Sequence, residues 1–242
     1  MLRNFSRIAV VLLAAGLVGI AIWTGEGAAA QERAGPVDGV GIPDVSGKPF
    51  SATVVLEYER YWDDGSSQVR RTINLIARDS EGRTHNEVRR LMPEYFHGSP
   101  QLMSVRLFDP LTRLRTDLDP ALHVARRQVV PKKPREAVAP NPALRIEDLG
   151  TTTMNGLEAK GTRRTTTIPA KASGTGAPVE IADEFWYSEE LHLNLLVRHT
   201  DPRVGVETVG VSNLKREEPP ASMFQVPAGY QILDVTPAPV NP

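Results

Sequence analysis

The chain has no cysteine among its 242 residues. It forms no disulfide, and it has no cysteine behind its N-terminal apolar run to carry a lipid. An excess of charge of either sign is missing too, with 28 Lys and Arg against 29 Asp and Glu. A total charge so balanced argues against a non-specific grip on nucleic acid, which needs a basic surface. Catalytic signatures are equally scarce. None of the five histidines forms an H-E-x-x-H or H-x-H pattern, and no G-x-S-x-G elbow surrounds a serine. Gly47-Lys48 is not a phosphate loop: Ile42 stands where the earlier glycine belongs, and Pro49 blocks the helix that should follow.

Long apolar runs are rare, and residues 8–23 form the first. That run has 16 residues, short of the roughly 20 needed to cross a bilayer. Arg3 and Arg7 precede it, and Ala28-Ala29-Ala30 offers small residues for cleavage. The pattern is that of a secretory signal peptide over residues 1–30, cut before Gln31. An uncleaved membrane anchor is the alternative. Cleavage removes Arg3, Arg7 and Glu26, leaving 26 basic and 28 acidic side chains and a net charge of −2. The expected location is periplasmic or secreted, without lipidation and with no stable membrane span after cleavage. The 212 residues that remain are enough to build a core without disulfides.

What is present is alternation. Val179, Ile181, Phe185 and Tyr187 share one parity, and so do Leu191, Leu193, Leu195 and Val197. A period of two marks a strand with one buried face. Asp201-Pro202-Arg203-Val204-Gly205 turns the second run into residues 207–214, giving three antiparallel strands closed by Phe224-Gln225-Val226-Pro227. Earlier, residues 51–62 carry Val54, Leu56 and Tyr58 on one face, and residues 69–78 return with Val69, Ile73, Leu75 and Ala77 aligned. Residues 83–92 are polar on both faces, as an edge strand or an open, solvated sheet is. Residues 103–108 and 113–118 read as a hairpin, with one more strand at 124–130. Asn155-Gly156 accepts the two positive φ values of a type I′ turn and launches the Thr-rich residues 158–168. Helix is expected only at residues 143–149 and 93–102. The domain plan is a signal peptide (1–30), a flexible N-terminal arm (31–49), one β domain (50–235) with a Pro-rich connector at 131–142, and a disordered tail (236–242).

Few residues announce chemistry. His192 and His199 have opposite parities, which argues against a shared metal. His199 beside Asp201 reads as a solvated contact near a turn. Asp63-Asp64 and Asp117/Asp119 also flank turns, where Asp bonds backbone amides. Arg70-Arg71, Arg89-Arg90, Arg126-Arg127 and Arg163-Arg164 recur on strands. One arginine of each pair must point inward, to meet an acid such as Glu57 or Glu59, or an anionic head group.

From residues 146–150 through Asn155-Gly156-Leu157-Glu158-Ala159-Lys160-Gly161-Thr162-Arg163 to residues 167–170, the chain resembles a group of uncharacterised secreted bacterial proteins. The likeness continues through Glu184-Phe185-Trp186-Tyr187-Ser188, Asp201-Pro202-Arg203, Asn213-Leu214 and Phe224-Gln225-Val226-Pro227-Ala228-Gly229-Tyr230. More distantly, the strand order and the ending resemble the outer-membrane lipoprotein carrier (LolA-like) superfamily. That resemblance implies an antiparallel, unclosed β-barrel whose concave apolar face is covered by helices and holds acyl chains or a partner.

The expectation is a mainly β protein, a curved antiparallel sheet or unclosed barrel with few short helices. It binds rather than catalyses, with no catalytic residue, metal or cofactor. A lipid or other amphiphile is expected in a concave cavity lined by Leu56, Tyr58, Ile73, Leu75, Phe185, Tyr187, Leu193 and Leu195. Partners are a lipid or lipoprotein acyl chain, or an envelope protein, and not nucleic acid. The alternative is a structural or protein-interaction module with a filled core. A hydrolase ranks third, since no nucleophile–base arrangement is visible.

Overall fold

The computed structural model describes residues 41–62, 64–132 and 141–237. The expected signal peptide, most of the N-terminal arm, much of the Pro-rich connector and the end of the tail lie outside the described residues. The first half of the chain forms β1 (Phe50–Tyr61), β2 (Ser67–Arg78), β3 (Thr84–Arg89), β4 (Met92–Pro93), β5 (Leu102–Asp109), β6 (Leu114–Asp119) and β7 (Val124–Val129). The second half forms β8 (Leu144–Met154), β9 (Leu157–Ile168), β10 (Val179–Ser188), β11 (Leu193–Asp201), β12 (Gly205–Lys215) and β13 (Gln231–Asp234). A single helical turn, α1 (Ala170–Ser173), links β9 to β10, and a 3-10 turn (Ala221–Phe224) precedes β13.

All the strands join one curved, unclosed sheet in the order β13-β7-β6-β5-β3-β2-β1-β12-β11-β10-β9-β8, with β4 beside β2. Every pair is antiparallel except β13 with β7. The two edge strands do not meet. The curl is nevertheless strong: Asn155, in the β8–β9 turn, donates from Nδ2 to the Val211 carbonyl of β12 at 2.9 Å. Asn155 and Gly156 have φ of 52° and 73°, the positive pair that an Asn-Gly hairpin uses. Gly205, with φ of 145°, opens β12 so close to β1 that a Cβ there would be driven into the Glu59 carbonyl oxygen.

Cross-strand partners share a face, so the register shows where the cores lie. Leu56 stands opposite Val209, Val209 opposite Val197, and Val197 opposite Phe185. With Phe50, Val54, Ile76, Leu193 and Leu195 they form the larger core. Within β2 the buried side changes. Ile76 and its neighbour Ala77 are both sealed, at 1% and 0% exposure, although they point to opposite faces. Ala77 pairs with His85, and His85 with Leu107. Leu107 belongs to a second core with Val105, Leu118 and Ala125. That core is covered by the C-terminal strap, whose Val226 and Tyr230 pack on it. One half of the sheet therefore buries one face and the other half buries the reverse.

Three local expectations change. Residues 143–149 are not helix; from Leu144 on they lie in β8, which pairs with the Thr-rich β9 on either side of a bulge at Leu149. Residues 93–102 form no helix either, only β4 and turns. The polar β3 is interior, between β2 and β5, and the edges are β8 and β13. Its polarity is tolerated because partners are supplied. The Asn74 side chain accepts the Arg89 amide at 2.8 Å, and Arg89 Nε donates to Glu87 at 2.8 Å. Burial pushes the Glu87 carboxyl up, but the nearby His85, with its Nε2 3.8 Å away, and the hydrogen-bonded Arg89 outweigh it and hold its pKa below the usual value.

Candidate ligand-binding site

The structure separates the eight residues picked out by alternation. Phe185, Leu193 and Leu195 are packed in the larger core at 5%, 0% and 2% exposure. Leu56 packs against that core from its rim. Tyr58 lies on the same face one pair further along, opposite Glu207. Ile73 and Leu75 lie on the reverse face, since they pair with Val55 and Thr53 rather than with Leu56 and Val54. Ile73 is 48% exposed there. Tyr187 follows an irregularity in the β10–β11 ladder, and its hydroxyl meets His192 Nδ1 at 3.1 Å. Alternation fixes parity within a strand. It does not say which parity of the next strand shares that face.

Where the larger core ends, a charged row begins. Arg70, Tyr58, Glu207, His199, Asp183 and Arg164 stand opposite one another in turn across six adjacent strands. His199 Nδ1 lies 2.6 Å from Asp183 Oδ1. Asp201, the acid nearest His199 in sequence, is instead held by a two-pronged bond from Arg203 at 2.7 and 2.9 Å. Asp183 escaped the sequence reading; its signal is an acid at an inward position of an otherwise apolar alternation. The hydrogen bond to Asp183 raises the His199 pKa above its ordinary value, against burial, and Glu207 and Asp201 add to the rise. A raised folded-state pKa means this contribution is complete below the unfolded value of about 6.5 and is lost as pH climbs through the folded value. The contribution of this pair to the denaturation midpoint should therefore fall as pH rises above about 6.5. His199→Gln should flatten that slope, which denaturant titrations at several pH values will read.

The opposite half of the sheet carries a cleft. It holds about 500 Å3 between the strap and the floor of β5, β6 and β7. Leu107, Thr116 and Arg127 form one row of that floor, with Leu114 beside them and Phe224, Tyr230 and Ile232 on the walls. Of the paired arginines in the sequence, Arg126 reaches Asp119 at 3.8 Å while Arg127 turns into this cleft. Arg127 Nε is buried and has no hydrogen-bond partner among the described residues. Asp234, opposite it in the β13–β7 ladder, has its pKa lowered mainly by Thr236, with a smaller pull from Arg127. Arg163, from another pair, meets Glu184 and Glu147 at 2.7 and 3.1 Å rather than Glu57 or Glu59. Among the described residues, no group of three or more His, Asp or Glu is placed to hold a metal. No described helix is long and apolar enough to cross a membrane.

No protein-family model and no curated protein matches the sequence. Several solved structures are similar at low identity. An uncharacterized conserved protein from Thermus thermophilus shares 13% identity, over 79% of this chain and 92% of that one, with a TM-score of 0.41. The MucA/MucB complex of Pseudomonas aeruginosa includes a chain 18% identical, with 78% of this chain covering 59% of that one at a TM-score of 0.40. A Vibrio parahaemolyticus domain described as an outer membrane lipoprotein-sorting protein shares 11% identity over 73% of this chain and 89% of that one, at a TM-score of 0.28. At these values no ligand, partner or activity passes from them to this chain.

Proposed function

We propose that this chain is an exported, non-enzymatic binding protein of the cell envelope that holds a single-chain anionic amphiphile, such as a fatty acid, between its strap and its sheet. The observation that supports this reading is the cleft. Its volume of about 500 Å3 falls within the roughly 300–1,000 Å3 typical of small-molecule sites. Leu107, Leu114, Phe224 and Ile232 suit an alkyl chain, and Arg127 suits a carboxylate. A buried donor left unpaired costs about 1–3 kcal/mol, which an anionic head group would recover. A fluorescent fatty acid should bind saturably to the wild type. Arg127→Met should weaken that binding by about tenfold or more, because it removes a charge-assisted hydrogen bond. Leu114→Trp should block it by filling the floor, with circular dichroism confirming that both variants fold.

A second reading has its own support. Phe185, Leu193 and Leu195 are sealed in the concavity where the sequence located a ligand. A filled interior suits a structural or protein-interaction module. A wild type that takes up no fatty acid would leave this reading standing.

A further inference from the structure

β8 is an outer edge of the sheet: β9 pairs along one side of it and no described strand pairs along the other. The Thr167 amide reaches the Ala143 carbonyl at 3.4 Å. By the alternation of an antiparallel ladder, odd positions at this end of β8 turn their backbone groups toward β9. Ile146 and Asp148 turn theirs outward, as Leu144 does its carbonyl, while the Leu144 amide donates to the Asn141 carbonyl at 3.1 Å. Ile146 is 61% exposed at the centre of this stretch. Arg145 and Glu147 flank it on the reverse face, both exposed. Glu147 accepts from Arg163 at 3.1 Å, and Arg145 has no ion pair among the described residues. The straight part of the edge ends at a bulge, where Asp148 Oδ1 accepts the Gly150 amide at 2.8 Å.

We propose that this edge pairs with the β8 of a second copy of the chain, antiparallel, about a two-fold axis through Ile146. A two-fold axis normal to the sheet keeps each face continuous, so each residue meets the one equally far beyond the axis. Centred on Ile146, that rule sets Ile146 against its own copy and Leu144 against Asp148. It also sets Arg145 of each chain against Glu147 of the other. Opposite charges meet twice. Centring on Arg145 or on Glu147 instead brings like charges together on the axis. The centre at Ile146 also fits the backbone, because its outward N–H and C=O then bond reciprocally across the axis. Few residues take part, so the interface is smaller than that of a stable complex and the association is reversible and concentration-dependent. This inference stands apart from the ligand reading.

Charge exchange tests it. Sedimentation equilibrium of the exported chain should show dimer increasing with concentration. Arg145→Glu alone and Glu147→Arg alone should each weaken association by about tenfold, since each sets like charges face to face. An equimolar mixture of the two variants should regain the wild-type affinity, because every cross pair is again opposite in sign. Ile146→Pro removes an outward N–H that β9 does not use, and should leave monomer only. A wild type that stays monomeric throughout would overturn the proposal. So would single variants that dimerise like the wild type, or a mixture no tighter than its components.

Discussion

Truncating Leu195 to alanine is expected to lower the unfolding free energy by roughly 2–5 kcal/mol, the range for a buried leucine whose cavity stays open. Leu195 is 2% exposed and is passed over in the β10–β11 ladder, where Trp186 meets Leu196 and Tyr187 meets Asn194. Its neighbours in the core, Phe185, Val197 and Val209, sit on paired strands that cannot close over a void. The measurement also separates the two functional readings at this location. A loss of only about 1 kcal/mol would be the value for a side chain lining an open groove. Urea denaturation of the two proteins, compared at equal slope, will read the difference.

Arg78→Met is the other large effect expected. Arg78 is fully buried, and its guanidinium donates to the carbonyls of Pro43 at 2.9 Å, Lys48 at 2.8 and 3.0 Å, and Leu191 at 2.7 Å. It has no carboxylate partner in any of these bonds. Burial lowers its pKa to about 10, which leaves it cationic at neutral pH. Its fork ties the segment before β1 and the β10–β11 turn to the end of β2. Methionine keeps much of the stem beside Phe50 and leaves three carbonyls without a donor. The expected cost is about 3–5 kcal/mol, built from unmet acceptors at about 1–3 kcal/mol each. Arg78→Lys should recover only part of it, because a single ammonium cannot span three carbonyls as the planar fork does. Thermal and chemical denaturation of the three proteins will give the order.

The sequence makes the paired strands legible where period two is clean. That holds for β1, β2, β10, β11 and β12, and for the Asn155-Gly156 turn. β8 reads as helix because Ile146 and Leu149 stand three apart, a helical spacing, while Leu144 and Ile146 stand two apart, and so short a run does not decide between the two periods. β3 reads as an edge or an open, solvated strand because its side chains are polar. What makes it an interior strand is the set of partners that Asn74, Glu87 and Arg89 supply across the ladder, and these belong to no local pattern. The candidate site is less legible still. The inward arginine of the Arg126-Arg127 pair is a readable hint. The cleft around Arg127 depends on the path of residues 221–234, and hydrophobic alternation does not describe that path. Ile73 and Leu56 share apolar character, yet only the β1–β2 register reveals that they lie on opposite sides of the sheet.

The change of buried side within β2 divides the molecule in a way its continuous sheet conceals. Each core is sealed by different elements: the larger by the sheet curling on itself, the smaller by a strap whose own strand adds four residue pairs to β7. Lifting the strap bares the β3–β7 half and leaves the other core dry. Two cores joined at one strand should open separately, the smaller before the larger. Ile76 and Ala77, one on each side of β2, are the hinge at which that opening stops.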